Sequence, residues 1–154
     1  MSDELMMNLA LEEARGCGDD VPIGCIIVKD GQIIARGANQ RERRQDPIGH
    51  AELIALRQAA EHLGKWRLDG CIIYCTLEPC PMCAEAILQS RVSEVVFGAY
   101  DQMYGAMGSA FNLYVKGRPF PLPEVRGGIM QQECRKLVQD FFKRRRAENE
   151  GAPK

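Results

Sequence analysis

Apolar positions in this chain recur with two periods, and the changes between them mark its elements. Over residues 4–15, Leu5, Leu9 and the Glu12/Glu13 pair fall at helical spacing and predict a helix. Pro22–Val28 (PIGCIIV) is a short apolar run and predicts a strand. Asp30-Gly31 is a two-residue hairpin signal, with Gln32–Arg36 as the returning strand. Residues 38–49, which contain Asp46-Pro47, are polar and predict a loop. Residues 50–63 put Leu53, Leu56, Ala59, Ala60 and Leu63 on one side of a helix that Gly64 ends. CIIYCT, residues 71–76, predicts a short buried strand. Pro81 suits the first helical position, so Cys80 caps a helix running to about Ser90. Glu94–Phe97 predicts a strand, and residues 99–123, rich in Gly and Pro, carry no regular pattern. Val125 and its neighbours predict a fifth strand, and Ile129 to about Glu148 a long C-terminal helix.

Strands that alternate with helices after an initial hairpin argue an α/β fold, a mixed sheet covered on both faces. At 154 residues, without repeat or linker, the expectation is one domain over 1–154, with its core at about 4–148 and a short C-terminal tail. Hydrophobic residues at 45% and charged residues at 27% are ordinary for a soluble globular protein. No apolar run approaches the roughly 18 residues of a membrane helix. The N-terminus MSDELMMNLALEEAR is acidic and amphipathic, unlike a secretory signal, so a cytoplasmic protein with no membrane partner is expected.

The net charge of −1 does not announce a nucleic-acid partner. Basic residues nevertheless cluster at Arg41/Arg43/Arg44 and at Lys143–Arg146, two groups able to hold phosphates or simply to face solvent. Seven cysteines, an odd number in a chain without a secretory signal, argue reduced thiols and a metal site over a disulfide framework. Cys17, Cys25, Cys71, Cys75 and Cys134 are read as core filling.

The remaining two cysteines carry chemistry. His50-Ala51-Glu52 is followed, after twenty-seven residues, by Pro79-Cys80-Pro81-Met82-Cys83 when counted from Glu52 to Cys80. One imidazole and two thiolates are three protein ligands for tetrahedral zinc, with a fourth position open to water. Cys80 and Cys83 share a helix face at a helix N-terminus, where the dipole favours thiolate. His50 and Glu52, two apart, would point about 200° from each other in mid-helix. They share a site only if His50 sits before the first regular turn, so two helix N-termini are expected to meet at the metal. Zinc with an open position makes water acidic near neutral pH. Glu52 is then placed to move protons between that water, a ring nitrogen and a departing amine. The pair of motifs matches the signature of zinc nucleobase deaminases. A four-thiolate site with Cys71 and Cys75, a redox Cys80/Cys83 pair and a purely structural zinc are the competing readings; each leaves His50, Glu52 or the open position unused.

Together with Val21-Pro22-Ile23-Gly24, Gly37-Ala38-Asn39, HAELIALRQA, TLEPCPMCAEAI, RVSEVVFGA, Asp101, Gly105–Ser109 and the C-terminal FFKRRR, these motifs resemble the bacterial tRNA-specific adenosine deaminases from about residue 4 to 148. The resemblance implies the three-layer α/β/α cytidine-deaminase-like fold on a five-stranded sheet. It implies a homodimer and hydrolysis of the wobble adenosine of a tRNA anticodon stem-loop to inosine, while the open three-ligand set predicts one zinc per subunit. It places the zinc ligands on His50, Cys80 and Cys83, the proton shuttle on Glu52, and substrate contacts on Asn39, Asp101 and Val21. Read alone, Asn39 is a turn residue closing the second strand.

Two segments depart from the family pattern. Phe120–Pro123 replaces an Asn-His pair, and Tyr100, Gln102 and Met103 flank Asp101 where cations are usual. Two alternatives therefore stay open: a deaminase of a free base or nucleoside on the same fold, and a zinc-stabilised binding module, which gives Glu52 no work.

Overall fold

The computed structural model describes residues 2–150. Helix α1 (Asp3–Arg15) leads into the hairpin β1 (Gly24–Lys29) and β2 (Gln32–Ala38). A short helix α2 (Arg41–Arg44) precedes α3 (Ala51–Leu63), β3 (Cys71–Leu77), α4 (Pro81–Gln89), β4 (Glu94–Ala99), β5 (Glu124–Arg126) and α5 (Gln131–Glu150). The five strands form one sheet in the order β2-β1-β3-β4-β5. β1 pairs antiparallel with both β2 and β3, whereas β3–β4 and β4–β5 are parallel. The α/β class and the mixed five-stranded sheet expected from the sequence are thus both present.

Alternate residues of the central strands feed two cores, as the period-2 pleat demands. Cys25, Ile27, Ile73, Cys75, Val95 and Phe97 pack with Ala51, Ala55 and Ala59 of α3 and Ile87 of α4. Ile26, Val28, Tyr74 and Val96 pack with Met6, Met7, Ala10 and Leu11 of α1 and Cys134 of α5. Burial on both faces explains why β1 and β3 read as continuous apolar runs rather than as alternation.

Small residues set how closely helices approach the sheet. A Cβ on Gly37 would lie 2.2 Å from the Ala51 carbonyl oxygen in the first turn of α3. A Cβ on Gly24 would lie 2.1 Å from the Ala10 carbonyl oxygen of α1 on the opposite face. These contacts are impossible for a methyl group, so the two glycines fix the height of a helix on each side.

Several boundaries differ from the sequence reading. β1 starts at Gly24 rather than Pro22, since proline has no N–H for the ladder. β2 continues to Ala38 because Gly37 and Ala38 pair with Cys25 and Gly24. The turn of helix α2 inside the polar loop was not predicted. Its cap is tertiary: the buried Asp20 carboxylate accepts from the Glu42 and Arg43 amides at 2.7 and 3.2 Å, from more than twenty residues away. α5 starts at Gln131 rather than Ile129, after Gly128 and Met130 adopt positive φ of 86° and 55°.

All five cysteines assigned to core filling are buried. Cys25 and Cys75 face each other across β1 and β3 with sulfurs 3.9 Å apart. Cys75 is therefore spent inside the core beneath α3, and the four-thiolate reading fails. No helix among the described residues is long and apolar enough to cross a membrane.

Candidate active site

The site forms where α3 and α4 start. His50 is the N-cap of α3 with extended backbone, φ −82° and ψ 146°. Cys80 is the N-cap of α4, φ −71° and ψ 171°, with Pro81 in the first helical position. Neither cap residue uses its side chain to satisfy its helix, so imidazole and thiol are free to turn toward each other. This is the arrangement that the spacing of two between His50 and Glu52 required. His50 stands before the regular turn, and Glu52 lies inside it, buried at 4% exposure.

His50 Nδ1 lies 3.7 Å from Cys80 Sγ and 3.4 Å from Cys83 Sγ. A zinc ion with Zn–N of about 2.05 Å and Zn–S of about 2.3 Å in tetrahedral geometry separates N and S by roughly 3.6 Å. The observed edges match that tetrahedron. All three ligand atoms lie within 4.8 Å of one another, and they are the metal-binding cluster found among the described residues. The donors also fit zinc in kind, two soft thiolates and an imidazole.

The electrostatics favour a cation here. A hydrogen bond from Cys83 brings the Cys80 thiol down to about 4 against the opposing effect of burial, and His50 adds to it. The same bond, with burial, holds the proton on Cys83. The hydrogen bond to Cys80 raises His50 above its ordinary value, again against burial. A metal ion held by these three side chains would take the place of the shared protons. Burial raises the Glu52 carboxyl above the ordinary range, while Cys83 and the charge of His50 pull it back. A carboxylate shifted upward in this way is suited to accept and return a proton.

Above the cluster opens a cavity of about 730 Å³, with His50, Glu52 and Cys80 in its wall. Val21, Asn39 and Asp101 line the same cavity, so six of the seven site residues expected from the sequence line it, and the seventh, Cys83, is fully buried beside His50 and Cys80. Asn39 is only 7% exposed and does hold the local turn. Its Nδ2 donates to the Val21 carbonyl at 3.1 Å, and its Oδ1 accepts from the Arg41 amide at 3.2 Å. A carboxamide has two N–H groups and two lone pairs, so half of its capacity is left for a ligand. Asp101 accepts from the Met103 and Tyr104 amides through Oδ1 alone, leaving Oδ2 for a ligand.

Tyr100, Met103 and Tyr104 give the cavity an apolar and aromatic side, with the polar Gln102 among them, and Phe142 of α5 also lines it. Phe120–Pro123, the other departure from the family pattern, is not part of the lining. Phe120 instead sits against Arg91, 4.0 Å from guanidinium carbon to ring centre. Of the basic clusters, Arg41 reaches the cavity wall, whereas Arg43 is tied to Asp20. Lys143–Arg146 begins one residue past Phe142, and Arg145 donates to the Asp19 carbonyl at 2.8 Å.

Two contributors fall inside the motifs that carry the resemblance, Gly37-Ala38-Asn39 and TLEPCPMCAEAI, but were given no role from the sequence. One is Gly37, described above. The other is Glu78, buried at 2% exposure. It accepts from the amides of Asp101, Met107 and Ser109 and from the Ser109 hydroxyl.

Comparison with known proteins agrees with this geometry. The cytidine and deoxycytidylate deaminase zinc-binding region matches residues 1–99, which contain all three metal ligands and Glu52. The tRNA-specific adenosine deaminase of Bacillus subtilis is 44% identical over 154 residues, spanning 99% of this chain and 96% of that one. The corresponding Haemophilus influenzae protein is 42% identical over 150 residues, covering 95% and 86%. A solved structure from work on A-to-I editing by tRNA:A34 deaminases superposes with a TM-score of 0.79 at 39% identity, covering 86% of this chain and 98% of its own. A guanine deaminase from Bacillus subtilis superposes with a TM-score of 0.62 at 42% identity, covering 65% and 66%. The chain therefore belongs to the zinc-binding cytidine and deoxycytidylate deaminase family and, within it, to the tRNA-specific adenosine deaminases.

Proposed function

We propose that this protein hydrolyses the wobble adenosine of a tRNA anticodon stem-loop to inosine, releasing ammonia. The observation that carries the proposal is the cluster of His50, Cys80 and Cys83 within ligating distance of one another, with the buried Glu52 in the wall of the same cavity as His50 and Cys80. Zinc held by His50, Cys80 and Cys83 would supply the Lewis acidity that makes water nucleophilic near neutral pH. Glu52 takes the proton from that water and delivers it to the purine nitrogen N1 as oxygen adds at C6. It then takes the second proton from the oxygen now on C6 and passes it to the exocyclic amine. The C6–N6 bond breaks, ammonia leaves and the ring keeps the oxygen, so adenosine and water balance inosine and ammonia. One carboxylate serving each transfer accounts for the lack of a second acid in the mechanism.

A base stacked in a duplex cannot reach the floor of this cavity, so the target is a loop nucleotide that is easily extruded. Asn39, Val21 and Asp101 are assigned to holding it, through the amide and carboxylate capacity that the local turns leave free. The apolar rim of Tyr100, Met103, Tyr104 and Phe142 suits stacking of neighbouring bases. Arg41 at the wall and Lys143–Arg146 beyond Phe142 suit phosphates on either side. The protein is assigned one deaminase domain over 1–154, a homodimeric state and a cytoplasmic location. Sedimentation at micromolar concentration should give about twice 17.2 kDa.

The deciding experiment incubates zinc-loaded protein with an unmodified anticodon stem-loop and, separately, with free guanine, adenine, cytosine and their nucleosides. Inosine and ammonia are assayed. Turnover of the stem-loop alone is the expected result. Turnover of a free base or nucleoside without the stem-loop overturns the RNA assignment and selects the free-base alternative.

A further inference from the structure

The segment after β4 makes one side of the cavity, and its position is set by a carboxylate outside the established machinery. We propose that Glu78 is a positioning residue, holding the 99–109 loop in register with the metal ligands so that Asp101 and Tyr104 meet the substrate. The inference rests on the proposed function for the identity of that substrate.

Glu78 stands two residues before Cys80, at the junction of β3 and α4. Its Oε1 accepts from the Asp101 amide at 3.2 Å and from the Ser109 hydroxyl at 2.5 Å. Its Oε2 accepts from the Met107 and Ser109 amides at 2.9 and 3.2 Å. The backbone repeats the connection: the Glu78 amide donates to the Ala99 carbonyl and the Ala106 amide to the Pro79 carbonyl, both at 2.8 Å. The loop is thus pinned at both ends, and its cavity-lining residues lie between the pins.

Two further facts make this more than a loop contact. No Lys or Arg among the described residues pairs with Glu78, although it is buried. Its charge is balanced by aligned loop donors, which ties the loop position to the carboxylate. Second, there is no slack. A Cβ at position 105 would lie 2.4 Å from the Glu78 carboxyl carbon and 2.5 Å from the Asp101 carbonyl oxygen. Because Pro79 and Cys80 follow directly, the loop is referenced to the zinc ligands through two residues of chain. An adjustment of Asp101 therefore requires breaking these bonds.

The test is Glu78→Gln, which replaces one acceptor oxygen by an NH₂ facing N–H donors. Zinc content should remain at the wild-type level. KM for the anticodon stem-loop should rise about tenfold, the equivalent of one charged hydrogen bond, with kcat changed less. In an Asp101→Ala background the same substitution should add less than about twofold, because Glu78 acts through that loop. Ser109→Ala, which keeps the carboxylate and three of its donors, should shift KM in the same direction by about threefold. It carries the test should Glu78→Gln fail to fold. A merely structural role lowers the active fraction. Reduced kcat at unchanged KM, or effects that multiply fully with Asp101→Ala, would overturn the proposal. Wild type that ignores the stem-loop but converts a free base overturns the substrate assignment instead, and the same comparison on that base then decides the role of Glu78.

Discussion

Replacing Gly37 with alanine should disable the site from the far side of a helix. Gly37 lies in β2, opposite Cys25 of β1, and faces the first turn of α3. The new Cβ would meet the Ala51 carbonyl oxygen at 2.2 Å, its carbon at 3.1 Å and the Ala55 nitrogen at 3.1 Å. Carbon and oxygen do not approach closer than about 3.2 Å, so α3 must recede by about 1 Å, with an overpacking cost of about 1–3 kcal/mol. Ala51 stands between His50 and Glu52, so the displacement reaches a metal ligand and the proton shuttle together. Ligand positions tolerate about 0.2 Å, and a misplacement of about 1 Å costs on the order of 10² in rate. Gly24→Ala is the control. Its Cβ meets the Ala10 carbonyl oxygen at 2.1 Å and the Ala14 nitrogen at 2.5 Å, on the face away from the metal. Both variants should lose similar stability in thermal unfolding. Only Gly37→Ala should lose zinc affinity and about 10²-fold in kcat/KM per bound zinc. Equal zinc affinity and equal specific activity in the two variants would refute the argument that the β2–α3 contact sets the site.

Four further outcomes are expected. Cys80→Ala should leave the protein largely free of zinc by elemental analysis; wild-type stoichiometry in that variant would falsify the ligand assignment. Glu52→Gln should keep zinc and fold while turnover falls by about 10²–10⁴ or more, as expected for lost proton transfer, and near-normal turnover sinks the mechanism. The Arg118 guanidinium, 2.7 Å away, and then Gln89 hold the Glu85 carboxyl down to about 2 from its ordinary 4.5. Because this pKa is lowered on folding, the contribution is present above about pH 4.5 and fades toward pH 2. Solvent screening of this pair, whose side chains are 19% and 35% exposed, keeps the contribution small. The stability difference between wild type and Arg118→Gln, followed in denaturant from pH 7 to 2, should shrink in that window; a constant difference contradicts it. Replacing Lys143, Arg144, Arg145 and Arg146 by Gln should weaken stem-loop binding and flatten its salt dependence without touching zinc content, and identical slopes would remove the cluster from the RNA surface.

The sequence by itself determined the chemistry and most of the elements. His50, Glu52, Cys80 and Cys83 were legible because their types and spacing match one metal geometry, and because Pro81 marks the start of α4 locally. The strands were legible because burial on two faces leaves apolar runs that turn residues bound. The tertiary structure decided what depends on partners distant in the chain. α2 exists because Asp20 caps it from the other side of the β1–β2 hairpin. Asn39 turns out to be both the turn residue its own position suggests and part of the cavity wall. Phe120–Pro123 proved irrelevant to the cavity, a matter of where a loop packs rather than what it contains. Gly37 and Glu78 stand in motifs that the resemblance marks, yet their roles were not legible, because their work is done against Ala51 and Ser109 and no local pattern records a contact that only the folded sheet brings together.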